Sequence, residues 1–343
     1  MSTPPRARLR PTFRPATLRP VLLFLALLGL ADRALGAGLE LASARALDGE
    51  KSGGLLRAAL ADRRARWVVF GSSRVRRHVD PVPLEAALGE RVRNAGCDGH
   101  GVLYARLLAA LMRAEGSRAR SYVLDLNPHD LVDDRAGRLG LFAPFVGRDP
   151  RVDAALEARD PFARLKLLSH VYRYNSAGLP SLARALRGGP PSRGFAPLAP
   201  RAGLRPTPPS PVTPPAVPRA DDAAARGLAH YAAFVDDARV AGVEVRFLVG
   251  PRRGGWPAPE ARALATLLEL ARARRVSVID LRALPVPNGH WVDDVHLDAR
   301  GAETYSRALA RALSGAEPHD ALRDPLASTA PPRRQRPAGD ERP

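Results

Sequence analysis

Trp67-Val68-Val69-Phe70-Gly71-Ser72-Ser73-Arg74 is the stretch from which the fold is read. Four apolar residues of β-branched and aromatic type run straight into a Gly-Ser-Ser turn, the pattern of a buried strand that stops at a small polar loop. In open α/β sheets ligands gather beyond the carboxyl ends of the strands, so a hydroxyl on the loop after a first strand stands where substrate would stand. Gly-Ser pairs also make ordinary strand-to-helix turns. The octapeptide alone does not separate the two readings.

Downstream the same rhythm repeats. After a Pro-punctuated turn from His78 to Pro83 and a short helix from Leu84 to Leu88, Arg91 to Ala95 reads as a second strand. It leads into Gly96-Cys97-Asp98-Gly99-His100-Gly101, whose glycines mark a loop with positive φ or close backbone approach. Val102 to Glu115 has helical apolar spacing, and Ser121 to Leu126 is a third strand that ends in Asn127-Pro128-His129-Asp130. Asp149 to Arg187 is helical in pattern with breaks at Asn175 and Pro180. Helices over Asp221 to Ala241 and Glu260 to Arg274 alternate with strands over Val243 to Val249 and Val276 to Leu281. Asp298 is placed to cap a last helix with Ala302, Tyr305, Leu309 and Leu313 as its inward stripe. Strands separated by helices at this spacing predict βαβ crossovers and a mainly parallel sheet.

The chain has 343 residues, 45% of them hydrophobic but only 5% aromatic, so the core must be built mostly of Ala, Leu and Val. The net charge of +18 would ordinarily point to an anionic partner. Nearly all the cations are Arg, however, with only Lys51 and Lys166 as lysines, and they are spread over every segment among abundant Ala and Pro. That is the signature of GC-rich coding, and no nucleic-acid partner is expected. The single cysteine, Cys97, excludes an internal disulfide framework.

Arg6, Arg8, Arg10, Arg14 and Arg19 precede the unbroken apolar run Val21 to Ala31, with small residues around Ala34-Leu35-Gly36-Ala37. This order of basic, apolar and small segments predicts a signal peptide or membrane anchor over residues 1–37, and an exported, periplasmic or cell-envelope protein. The run is short of the roughly 20 apolar residues that span a bilayer. Prolines occupy eleven positions from Pro190 to Pro218, which predicts a solvated, disordered insertion over 188–220 within one domain spanning 38–316. Residues 317–343 read as a disordered tail.

Just before the last helix stands Trp291-Val292-Asp293-Asp294-Val295-His296-Leu297. Asp293 and His296 are three apart, which on a helical turn puts them side by side. A histidine oriented by a carboxylate is what a serine needs as general base. An acidic loop with a surface histidine is the plain alternative.

Taken together, these residues resemble the SGNH or GDSL family of serine hydrolases over Trp67 to Leu313. The family's first block, Gly-Asp-Ser, matches Gly71-Ser72-Ser73, which aligns Ser73 with the nucleophile; Ser72 in place of Asp is similar to exported, membrane-tethered members. The last block, Asp-x-x-His, is Asp293 to His296. It continues into His296-Leu297, Gly301-Ala302 and Tyr305-Ser306. The second block, Asn-x-Gly-x-x-Gly, is Asn94 to Gly99, with the Gly99 N–H as an oxyanion donor. The third, Gly-x-Asn-Asp, is degraded to Asp125-Leu126-Asn127-Pro128, in which Asn127 survives as the remaining oxyanion candidate.

The resemblance implies a three-layer, doubly wound, flavodoxin-like α/β fold. It also implies a cofactor-free serine esterase or O-acyltransferase with Ser73, His296 and Asp293 as the triad, and Ser73, Gly99 and Asn127 around the oxyanion. The substrate would be an acyl ester, including one carried by a cell-envelope glycan. The competing class is a catalytically decayed scaffold of the same fold that binds a glycan or an assembly partner. The absence of a G-x-S-x-G elbow at Ser73 argues against the α/β-hydrolase arrangement, and no His/Cys/Asp cluster has metal-ligand spacing. His100, His129 and Arg74 stand at strand ends as secondary candidates: solvated loop histidines or cleft residues in the first two cases, a contact for an anionic substrate in the third. Oligomeric state is open.

Overall fold

The five apolar segments are the strands of one sheet: β1 Trp67–Phe70, β2 Val92–Asn94, β3 Ser121–Asp125, β4 Glu244–Val249 and β5 Ser277–Asp280. They pair in parallel throughout, in the order β2-β1-β3-β4-β5. This computed structural model describes residues 15–46, 53–132, 139–175, 177–187, 192–200 and 220–315. The basic residues Arg6 to Arg14, the tail 317–343 and residues 188–191 and 201–219 of the Pro-rich stretch lie outside them. The chain divides into two compact units, Met1–Gly54 with Leu139–Gly189, and Leu55–Arg138 with Pro190–Pro343.

The sheet belongs to the second unit. β1 and β3 are buried along their whole length, which is why they read as continuous apolar runs without polar alternation. The pleat sends successive side chains to opposite faces. Val69, Val123 and Ile279 pack with Val75, Leu84, Tyr305 and Leu309 on one side. Phe70 and Tyr122 pack edge-to-face at 5.1 Å on the other, where Phe234 joins them at 5.5 and 5.8 Å. The first layer is therefore made by helices Ser73–His78, Pro81–Leu88 and Ala299–Ser314, and the second by helices Val102–Ala114 and Ala220–Val240 among others. This is a three-layer, doubly wound α/β fold. Its topological switch lies at β1 and β3, whose carboxyl ends open the crevice where such folds bind ligands.

Two local expectations are corrected. Residues 78–83 are not a turn: helix Ser73–His78 gives way, after Val79, to helix Pro81–Leu88, with Pro81 in the first turn and the Asp80 carboxylate accepting from Val82 N–H at 2.9 Å. Proline tolerates that position because its missing N–H would have no helical partner there. Residues 192–200 of the Pro-rich stretch are not a solvated excursion either. Asn94 N–H donates to Arg193 O (3.1 Å), Ala196 N–H to Arg76 O (3.0 Å) and Ala299 N–H to Leu198 O (3.0 Å).

The first unit contains helices Pro15–Arg45, Pro150–Arg159, Ala163–Lys166 and Gly178–Arg187. Pro180 lies in the first turn of the last and does not break it. The N-terminal helix continues well past the apolar run, and its segment Leu18–Arg45 is long and apolar enough to cross a membrane by length and composition.

Candidate active site

Ser73 opens the helix that follows β1, with Ser72 in extended backbone as its N-cap. The helix begins without a connecting loop because the chain turns sharply at Gly71-Ser72. Across the crevice, the loop Trp291–Leu297 closes on itself through an antiparallel bridge between its ends and a bond from Val292 N–H to His296 O at 2.8 Å. Asp293 Oδ1 accepts from Val295 N–H (2.8 Å) and His296 N–H (2.7 Å). Asp293 and His296 therefore meet through an Asx turn in a bend, and not through the helical turn expected from their spacing. Arg253 N–H, on the loop after β4, donates to Asp294 O at 3.0 Å and holds this loop from outside.

Within the turn, His296 Nδ1 lies 2.8 Å from Asp293 Oδ2 and Nε2 lies 2.7 Å from Ser73 Oγ. An ionised carboxylate only accepts, so Nδ1 carries the proton and Nε2 is left to accept from the serine hydroxyl. Burial pushes the Asp293 carboxyl up, but the His296 ring and the Val295 and His296 N–H groups more than offset it and hold it at about 2. Ser73 and the Asp293–His296 pair, more than 200 residues apart in sequence, form one unbroken hydrogen-bonded path.

The loop after β2 abuts the helix Ser73–His78. A Cβ on Gly96 would meet Arg76 N at 2.5 Å and Ser72 O at 3.0 Å, so only glycine allows this approach. Gly99 sits in the same loop at φ +71°, a left-handed conformation that glycine takes without strain. Cys97 N–H donates to Gly71 O at 3.0 Å, and Asp98 pairs with Arg77, with Arg76 Nε 3.8 Å away. Asn127, at the end of β3, is placed differently. Its backbone N–H donates to Tyr231 Oη (2.9 Å) and its amide Nδ2 lies 3.4 Å from Asp130 Oδ1. Asp130 is in turn engaged by Val102 N–H (2.9 Å) and the Tyr231 hydroxyl (3.0 Å).

Of the secondary candidates, Arg74 is buried. Its Nη2 donates to Asp125 Oδ2 (2.8 Å) and Leu126 O (2.7 Å), with Trp256 stacked 5.1 Å away, so it ties the ends of β1 and β3 together and is not turned to a substrate anion. Burial raises the Asp125 carboxyl, and Arg74 pulls it the other way. His100 is buried against Tyr104, with ring centroids 4.8 Å apart, and is not a solvated loop histidine; His129 lies 3.6 Å from Glu260. Cys97 is fully buried. Among the described residues no group of three His, Cys, Asp or Glu side chains is placed to hold a metal ion.

The positioning contacts of two residues emerge only in three dimensions. His78, at the end of the helix that Ser73 opens, accepts at Nε2 from Leu297 N–H at 3.0 Å, and its carbonyl accepts from Ser306 Oγ at 2.7 Å. Burial, helped by the charges of His296 and Arg74, lowers its pKa far enough to keep the ring neutral. Asn94 donates from Nδ2 to Val75 O and Val79 O, both at 2.7 Å, and accepts from Gly96 N–H at 2.9 Å, pinning the glycine loop to the same helix. Asn94 stood in the second motif block, but His78 carried no sequence signal, since its partner lies 219 residues away.

No family model and no curated protein sequence matches this chain. Among solved structures, a crystal structure from Bacteroides fragilis NCTC 9343 described as a "putative acylhydrolase" is similar at 12% sequence identity and a TM-score of 0.39, covering 75% of this chain and 93% of its own.

Proposed function

We propose that this protein is an exported serine esterase or O-acyltransferase acting on an acyl ester, those carried by cell-envelope glycans included, with Ser73 as nucleophile, His296 as general base and acid, and Asp293 as orienting carboxylate. The observation that carries the reading is the bonded path Asp293–His296–Ser73 at the carboxyl end of β1. Ser73 Oγ attacks the ester carbonyl carbon while its proton passes to His296 Nε2. The carbonyl electron pair moves onto oxygen. Ionised Asp293 stabilises the imidazolium and keeps the ring in its orientation.

Ser73 opens a helix, where a backbone N–H has no intrahelical acceptor, so with the Gly99 N–H it can meet the oxyanion. The Asn127 amide would have to turn from Asp130 to join them. Collapse then expels the alcohol, which takes the proton from His296. Water or a sugar hydroxyl attacks the acyl-serine with His296 again as base. The N-terminal apolar helix supports delivery of the domain across, or onto, a membrane.

A second reading is favoured by one observation: the third motif block has lost its glycine and aspartate, and Asn127 faces Asp130. Losing one oxyanion donor costs roughly 10² to 10³ in turnover in a well-studied protease, so a glycan- or partner-binding scaffold is the alternative. A fluorophosphonate probe separates the two. The full-length protein is expected to label, and Ser73→Ala to abolish labelling. A folded wild-type chain that neither labels nor turns over a short-chain aryl ester would favour the scaffold.

A further inference from the structure

The carboxylate that ends the N-terminal apolar run is built into the first unit. Asp32 follows Val21 to Ala31 directly. It accepts from Ser169 Oγ (2.5 Å), His170 N–H (2.7 Å) and Val171 N–H (3.1 Å). From Asp32 onward one side of helix Pro15–Arg45 faces protein: Gly36 lies against His170, and Leu39 packs on Gly178. Before it, the helix is exposed on all sides from Leu18 to Ala31.

The residues just before those donors turn their large apolar side chains outward. Phe162, Leu165 and Leu168 are 63%, 68% and 66% exposed. Arg164 and Lys166, interleaved with them, are held by Glu157 and Asp160. Helix Gly178–Arg187, packed beside the N-terminal helix, is likewise inverted: Gly178 and Ser181 are buried, while Leu179, Leu182 and Leu186 form an exposed stripe. Clustered outward apolar residues of this size mark an interaction surface. They lie on the segments that hold the helix just beyond its bare apolar run, residues 169–171 at Asp32 and Gly178 at Leu39, which identifies the occupant as lipid.

The unbroken run of eleven residues rises only about 17 Å at 1.5 Å per residue, roughly half of a hydrocarbon core of about 30 Å, and the longer segment Leu18–Arg45 spans it only by carrying Asp32 and Arg33 into the lipid. Interfacial segments add anchorage by sinking an apolar face about 5–10 Å into the headgroup boundary. We propose that residues 162–168 and the leucine stripe of 178–187 form a collar that lies in the bilayer interface around the base of the N-terminal helix. Asp32 and its donors then mark the depth at which the chain leaves the lipid. The proposal rests on the reading that Val21 to Ala31 enters a membrane and is retained.

The test uses the full chain reconstituted in phosphatidylcholine–phosphatidylglycerol vesicles, with an environment-sensitive fluorophore on Leu25→Cys, Leu168→Cys or Leu182→Cys. A sample without the added cysteine corrects for buried Cys97. These positions are exposed, so labelling does not disturb a core. Expected is a several-fold emission increase at all three on reconstitution, quenched by a nitroxide phospholipid and not by aqueous iodide. Labels at 168 and 182 that stay open to iodide while 25 enters lipid would overturn the collar and leave the anchor standing. Labels at 168 and 182 shielded from both quenchers would overturn it in favour of a protein contact, including a second copy. A label at 25 that remains in water would remove the anchor and the collar with it.

Discussion

Ser73, His296 and Asp293 act as one unit or not at all, and that is the property to measure. Ser73→Ala and His296→Ala are each expected to abolish aryl-ester turnover to a similar degree, with the double variant little worse than either, because residues that share one proton path are grossly non-additive. Asp293→Asn should lose about 10⁴ in kcat if the carboxylate works as the orienting group of a serine protease does, while Ser72→Ala keeps most of the activity. Ser72→Ala as the dead variant and Ser73→Ala as the live one would shift the nucleophile by a residue. Asp293 also has a signature in stability. Its carboxyl is held at about 2 against an ordinary 3.8, so its ionised form stabilises the fold above the ordinary value, and that contribution fades as the pH falls towards 2. The shift is worth about 2 kcal/mol at face value, reduced to about 1 because the side chain is 39% exposed. Denaturant unfolding should find Asp293→Asn less stable than wild type by about that much at neutral pH, with the gap narrowing below about pH 4. A gap that is constant with pH would mean the carboxylate is not held by these bonds.

Two elements carry the proposed triad, the helix Ser73–His78 and the loop Trp291–Leu297, and they are joined at both ends: Ser73 to His296, and His78 to Leu297. The second bond fixes the backbone next to His296, which makes His78 a positioning residue in the proposed mechanism. His78→Leu leaves the buried Leu297 N–H without its acceptor, at a cost of about 1–3 kcal/mol, and should lower kcat with KM little changed. His78→Gln, whose carbonyl can accept in place of Nε2, should recover much of kcat. Equal loss of kcat in two folded variants would make the role one of volume alone. Element by element, the strands and the last helix were legible because each is a local apolar pattern with a local stop; Asp298 caps as its position suggests, accepting from Gly301 N–H at 2.8 Å. The Ser73–His78 helix was not legible, since Ser-Arg-Val-Arg-Arg-His has no apolar stripe and buries Arg74, Arg76 and His78 through distant partners. The Asp293 to His296 pair was legible as chemistry, but its geometry was not, because spacing alone cannot tell an Asx turn from a helical one.

At the scale of the molecule, the chain crosses the sheet twice over. β1, β2 and β3 lie before the Pro-rich stretch and β4 and β5 after it, yet β3 and β4 are neighbours, paired from Ser121 with Glu244 to Asp125 with Leu248. Ser73 is thus on one side of residues 201–219 and His296 and Asp293 on the other. Composition suggested an excursion between two halves of one domain, and the pairing gives that idea a sharp form. A protease recognition sequence inserted between Pro209 and Pro211 and then cut should yield two fragments that co-elute on gel filtration. They should keep aryl-ester turnover close to that of the uncut chain, because the parallel ladder, the contacts of Phe234 with Phe70 and Tyr122 and the Ser73–His296 bond all span the cut. Separation should require denaturant, and activity should vanish with it. Fragments that part under native conditions while each remains folded would show that the two halves are independent domains, and a site divided between them could not then be the catalytic one.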